Sequence, residues 1–287
     1  MSSTPLGRAA RRRTRHAGPL SRSAVGCYRP TVKRHGKPID PALGRISTLG
    51  GLLGIKTGGL LARLAPIAGE CAEDLVATIP HGFDALSVTV HVGRETARSI
   101  CGAWLDALPG DRLALELDAT TVTASSDEAA LPPDAPALVH VLGADELAAV
   151  GWDGTAWTYV IAQPNPGDAE CEATIARVEQ VAEAVGVTAP QRRIAASLHR
   201  SLARGMVTRA WVRSRAGAVD PVLGLAWDRV EWLPIQHMVT GFYPALGAAT
   251  KLDRLGRALE VDHATVELVL GPTDPPGLRI SVRLAGP

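Results

Sequence analysis

Two runs near the C-terminus restrict the fold more tightly than any other part of the chain. Residues 263–270 (HATVELVL) place Ala264, Val266, Leu268 and Leu270 on one face and His263, Thr265 and Glu267 on the other. Residues 277–284 (GLRISVRL) place Leu278, Ile280, Val282 and Leu284 opposite Arg279, Ser281 and Arg283. Alternation with period 2 marks a strand that buries one face. The link between them, Gly271-Pro272-Thr273-Asp274-Pro275-Pro276-Gly277, is dense in turn-forming residues, so the two runs form an antiparallel hairpin.

The same signature recurs upstream. ALSVTVHV at residues 85–92 sets Leu86, Val88, Val90 and Val92 against Ser87, Thr89 and His91. Further strands are predicted at 112–122, 137–142, 156–163, 207–215 and 222–228. Between them, 3/4 spacing predicts helices. Ala97, Ile100, Cys101, Trp104, Leu105 and Leu108 share one stripe; residues 169–186 and 190–204 carry two more, with short helices near 234–242 and 247–259. The Ser125–Pro136 stretch is predicted to be a polar connection. The expected fold is α+β: a single domain over residues 46–287, with an antiparallel sheet, open or curled toward a barrel, and helices packed on one face.

A weak internal repeat accompanies this order. Ala107-Leu108-x-x-Asp111-x-x-x-x-Glu116-Leu117 recurs as Ala258-Leu259-x-x-Asp262-x-x-x-x-Glu267-Leu268, each at a predicted helix-to-strand junction. The match is consistent with a duplicated helix–hairpin unit, about 84–163 and 207–287, and makes Glu116 the counterpart of Glu267.

The polar strand faces hold the candidate chemistry. Strand 207–215 aligns Arg209, Trp211, Arg213 and Arg215; the last strand aligns Arg279, Ser281 and Arg283; and His263 and Glu267 share a face. On an open sheet these side chains form a solvated face, and cross-strand Arg–Glu pairs there add little stability. On a sheet curled into a barrel they line a polar lumen, where arginines suit a phosphate or diphosphate through bidentate contacts. The helix–hairpin–helix order of the C-terminal third resembles the αββα units of the ABBA-barrel aromatic prenyltransferases, without any family motif. That resemblance implies arginines that hold a diphosphate and a carboxylate, such as Glu267, that takes a proton.

The formal net charge of +1 conceals an asymmetry. Residues 1–45 carry 11 of the 30 Lys and Arg against one acid, Asp40, a net +10; the other residues carry 19 bases and 28 acids, a net −9. The first 45 residues show no periodic apolar stripe and are expected to be a flexible basic tail. Arg11, Arg12, Arg13 and Arg15 would attract an anionic partner, nucleic acid included, or the acidic body of a second copy.

Other signals carry less. Gly50-Gly51-Leu52-Leu53-Gly54-Ile55-Lys56-Thr57 is one residue from a phosphate-binding loop, with Ile55 where the second glycine belongs, and no strand precedes it. Cys27, Cys71, Cys101 and Cys171 lack CxxC spacing, and the histidines, His91, His140 and His237 among them, lack HxH or HxxxH spacing, so neither a metal site nor a cofactor is expected. Trp227-Asp228-Arg229-Val230-Glu231-Trp232 reads either as a ligand rim or as a core Trp227 with Trp232 stapling the next helix. No GxSxG elbow supports a hydrolase. Residues 47–66 contain Lys56, Arg63 and several glycines, which makes membrane insertion expensive, and no apolar segment follows the basic start, so a cytoplasmic protein is expected.

Two functions follow from these features. The first is a non-enzymatic binding or assembly module that uses the basic tail and the Arg-lined face (Arg209, Arg213, Arg279 and Arg283, with Trp211 and His263) on an anionic or protein partner. The alternative is an enzyme that binds a phosphorylated or diphosphate substrate in a polar barrel or cleft, with Glu267 or Glu116 as general base. They separate on whether those side chains converge in an enclosed space or fan out into water.

Overall fold

In the computed structural model, ten strands pair antiparallel, each with its neighbours in sequence, and the first pairs with the last to close a barrel. The structure describes residues 40–70, 75–80, 82–128, 131–132, 135–139, 147–162, 176, 178–201, 209–242, 248–272 and 276–284. Arg11, Arg12, Arg13 and Arg15 lie outside them.

The strands are β1 (Val76–Pro80), β2 (Ser87–Gly93), β3 (Arg112–Leu117), β4 (Val122–Ser126), β5 (Leu147–Trp152), β6 (Trp157–Ala162), β7 (Arg209–Arg215), β8 (Ala218–Glu231), β9 (His263–Leu270) and β10 (Gly277–Arg283). The helices are α1 (Pro41–Leu53), α2 (Gly58–Leu64), α3 (Arg94–Cys101), α4 (Ala189–Ser201), α5 (Trp232–Phe242) and α6 (Ala248–Leu259), with 3₁₀ turns at Ala65–Glu70 and Gly102–Ala107. Closure runs from Val76 opposite Arg283 to Pro80 opposite Arg279, and Leu284 N–H donates to the Leu75 carbonyl at 2.8 Å. It leaves no sheet edge unpaired, which is the strongest protection a sheet can have against edge association.

Alternation decides which side of the barrel is dry. Val88, Val90 and Val92, Leu113, Leu115 and Leu117, Val266, Leu268 and Leu270, and Leu278, Ile280 and Val282 are all at most 2% exposed and point outward. The helices cover them: α3 packs on β2 and β3, α4 on β9, and α5 on β8 and β9. Each buried aliphatic side chain contributes roughly 1.5–3 kcal/mol, so this outer shell is the hydrophobic core. The helices therefore wrap a closed sheet, where an open sheet with one wet face had been the other expectation.

The two rims differ. At one, the links 81–86, 118–121, 153–156, 216–217 and 271–276 are short. Ala216 (φ 48°) and Gly217 (φ 77°) form a two-residue hairpin turn whose positive φ values match the strand twist. At the other rim, the described links carry helices, α3 with its 3₁₀ turn after β2, and α5 and α6 after β8.

Several expectations are corrected by tertiary structure. The predicted strand 112–122 is two strands, because the Asp118 carboxylate accepts from Thr120 and Thr121 N–H groups, both at 2.6 Å, and turns the chain. The predicted connection from Ser125 begins inside β4, and of the predicted strand 137–142 the described residues 137–139 are helical. The helix predicted through Leu108 stops at Gly102 (φ 74°) and continues as a 3₁₀ turn. Strands β1 and β5 were not foreseen. The glycine-rich stretch from Gly50 is the end of α1, closed by Gly54 in the left-handed region (φ 74°) with Ile55 N–H donating to the Gly50 carbonyl at 2.8 Å, so it cradles no phosphate. α1 itself starts inside the predicted tail, with Asp40 capping it through a 2.8 Å contact to Ala42 N–H.

Candidate functional site in the barrel lumen

The face opposite the buried aliphatics points into the barrel. Register places Arg279 opposite Glu267, Ser281 opposite Thr265 and Thr78, Thr89 opposite Glu116, and Trp211 between Val160 and Gly224. Polar residues of the alternating strands thus line part of the lumen.

At its centre, Arg279 donates through Nη2 to Glu116 Oε1, and its Nη1 lies 3.5 Å from Glu267 Oε1. Ser87 donates to the same Glu116 oxygen at 2.7 Å, and the Trp211 indole N–H donates to Glu267 Oε1 at 3.0 Å. The Arg279, Glu116 and Glu267 side chains keep 31%, 33% and 15% of their exposure, so this chain of contacts lies within reach of water. Desolvation would lower the Arg279 pKa, but the charges of Glu267 and Glu116 reverse that and hold it above its ordinary value. The two glutamates of the sequence repeat meet on one arginine.

Trp211 reaches Glu267 because β8 is glycine where the indole passes. A Cβ on Gly224 would sit 1.9 Å from both Cε2 and Nε1 of Trp211, so the ring occupies the place of a side chain there. No larger residue is compatible with this arrangement.

Arg213 sits toward the short-link rim, paired with Asp153 and 3.6 Å from Asp220. Burial would raise the Asp153 pKa, but hydrogen bonds from Thr155 and Ala156 and the charge of Arg213 bring it below the usual value. Toward the helix-side rim, Asp228 Oδ1 accepts from Arg209 at 2.8 Å and from Thr265 at 2.8 Å. A bulge beyond Trp227, with Arg229 at φ 56°, then returns Val230 to the outer face opposite Ala264. Arg283 and His263 are exposed at this rim. The structure therefore brings Trp211, Glu267, Arg279 and Glu116 together but spreads the arginines along the barrel. Arg209 and Arg213, four residues apart on one strand, are separated by ~13 Å.

The sequence reading missed the aspartates Asp153, Asp220 and Asp228, the Ser87 contact and the seat at Gly224. Asp153 alone carried a signal, the Asp-Gly turn pair between two strand runs. Trp227 is fully buried, and Trp232 lies over Gly256 of α6, which is the core-and-staple arrangement. Among the described residues no group of three or more His, Cys, Asp or Glu could hold a metal ion, and no helix is long and apolar enough to cross a membrane. Cys101 is a buried free thiol whose pKa burial raises to about 11, with Arg63 opposing, so it stays protonated.

Solved structures with this architecture exist. The 5-dimethylallyl tryptophan synthase of Streptomyces coelicolor in complex with DMASPP and Trp superposes with a TM-score of 0.56 at 15% identity, over 84% of this chain and 93% of that one. A second structure of the Streptomyces coelicolor enzyme gives 0.58 at 14% identity, over 84% and 96%. The fold is shared. The apo form of the prenyltransferase PriB reaches a TM-score of only 0.46. No protein-family model and no curated protein matches the sequence.

Proposed function

We propose that this protein is an enzyme that joins an allylic diphosphate to an aromatic acceptor inside the barrel. The observation that carries the proposal is the convergence of Glu116, Arg279 and Glu267 inside a closed barrel that water reaches. The fold likeness to a dimethylallyl tryptophan synthase supports it over the binding-module alternative.

In this reaction the allylic C1–O bond breaks and its electron pair leaves with the diphosphate. A ring carbon of the acceptor bonds to C1, and the ring proton passes to a carboxylate, which restores aromaticity. Glu116 is assigned as that base because it is 33% exposed against 15% for Glu267, whose carboxylate also accepts the Trp211 N–H. A positioned base of this kind contributes typically 10²–10⁴-fold. Arg279 holds the Glu116 carboxylate in place through its Nη2 donor. The diphosphate is assigned to Arg209 at the helix-side rim, where Arg283 is also exposed, because Arg209 faces one carboxylate, Asp228, whereas Arg213 and Arg279 each face two and offer an anion less net attraction. Cationic groups aimed at a departing diphosphate stabilise the charge that develops there.

The test is incubation of the full chain with dimethylallyl diphosphate and a panel of indoles and phenols, following prenylated product and released pyrophosphate. Product in the wild type that is lost in Glu116→Gln is expected. Absence of both turnover and diphosphate binding would overturn the proposal.

A further inference from the structure

One row of the lumen is apolar. Val160 on β6, Trp211 on β7, Gly224 on β8, Val269 on β9 and Gly277 on β10 are consecutive cross-strand partners, so they form a band around half of the barrel wall. Val160, Trp211 and Val269 are only partly buried, while Gly224 lies buried beneath the indole. Two glycines in this row keep the wall low, and Trp211 is the one bulky side chain on it. The row borders the Glu267–Arg279 pair directly, since Glu267 is two residues from Val269 and Arg279 two from Gly277. A flat apolar guest with a polar edge matches this surface: its face against the row and its edge toward the carboxylates.

We propose that Trp211 is the specificity-determining wall of the lumen: seated on Gly224 and tied to Glu267, it sets the largest fused-ring guest that the barrel admits. The indole fills the space above Gly224 and cannot retreat into the sheet, because the glycine Cα already bounds it. The 3.0 Å bond to Glu267 sets the orientation of the ring, and the bulk of the ring bounds the space left for a guest. Truncation at Trp211 frees the volume of one indole next to the apolar row, and Phe at this position keeps most of the wall while losing the N–H donor. The inference rests on the lumen being the binding site of the proposed enzyme, and not on the identity of the transferred group.

Calorimetric titration of the full chain with 2-naphthol (two fused rings) and 9-phenanthrol (three) tests it. The ratio of the two affinities is measured for wild type, Trp211→Phe and Trp211→Ala, with circular dichroism to verify folding. Trp211→Ala should shift the ratio toward 9-phenanthrol at least tenfold, and Trp211→Phe should stay within threefold of wild type. Trp211→Leu makes the same comparison if the alanine variant does not fold. A folded truncation with an unchanged ratio, or one that fails to bind 9-phenanthrol at all, overturns the proposal. The two ideas fail separately: a ratio shift with neither prenyl transfer nor diphosphate binding leaves the wall standing and removes the transferase, whereas turnover with an unmoved ratio does the reverse.

Discussion

Arg279 on β10 donates to the Glu116 carboxylate on β3 although β1 and β2 lie between those strands in the barrel wall. On a flat sheet three strand spacings of about 4.8 Å would separate them. The contact is made because the sheet curves and closes, so the chord across the lumen is shorter than the path along the wall. One arginine then balances two glutamates, Glu116 and Glu267, that enter from different hairpins.

Removal of that arginine should leave two like charges facing each other. Arg279→Met is expected to destabilise the protein by about 1–3 kcal/mol near neutral pH, in the range for stranding a partly buried ionised partner. Urea unfolding followed by Trp fluorescence measures this. An unchanged unfolding midpoint would contradict the assigned electrostatics.

The two glutamates should differ in their effect on turnover. Glu116→Gln is expected to lower kcat for prenyl transfer by at least 10²-fold, while Glu267→Gln, whose carboxylate is engaged by the Trp211 N–H and less exposed, should cost under tenfold. Steady-state kinetics with one acceptor and dimethylallyl diphosphate distinguish them.

Asp153 predicts an acid limb in the stability curve. Its carboxylate accepts Thr155 N–H and Ala156 N–H, both at 2.8 Å, and pairs with Arg213. Its pKa is depressed in the folded state, so its contribution is fully present above the unfolded value near 3.9 and is lost as pH falls through the lower folded value. Asp153→Ala should therefore cost roughly 1–2 kcal/mol at pH 7, and the gap to wild type should narrow as pH falls through the depressed folded pKa. Chemical denaturation at pH 7, 5 and 3 provides the comparison.

Gly256 tests packing against propensity. A helical Gly→Ala change is worth about 1 kcal/mol in favour of Ala. Here, however, the added Cβ would sit 2.3 Å from Trp232 Nε1, and overpacking of that kind costs typically 1–3 kcal/mol. The clash is expected to win, so Gly256→Ala should lower Tm by a few degrees. An increase would mean that Trp232 moves aside freely.

Much of this was legible from residues alone, for a definite reason. Strand alternation of Leu278, Ile280 and Val282 against Arg279, Ser281 and Arg283 assigns faces with no knowledge of what pairs with what, because a pleat has period 2 whatever its neighbours. His263–Leu270 is a strand over the range its pattern predicted, and the repeat singled out Glu116 with Glu267. β1 escaped notice because VATIP is five residues ending in proline, and its role as the closing strand depends on β10, which is distant in sequence.

The sequence by itself determined the faces: which side chains of each strand avoid water and which meet it. Whether the polar set faced bulk solvent or an enclosed lumen was decided by tertiary structure alone, since the same alternation fits an open sheet and a barrel equally well. Closure is a long-range event. The pairing of Val76 with Arg283 bends the wall until Arg279 reaches Glu116, and the absence of a side chain at Gly224 lets Trp211 reach Glu267. Local periodicity carries no information about either contact, because each joins residues that only the curvature of the closed sheet brings within bonding distance.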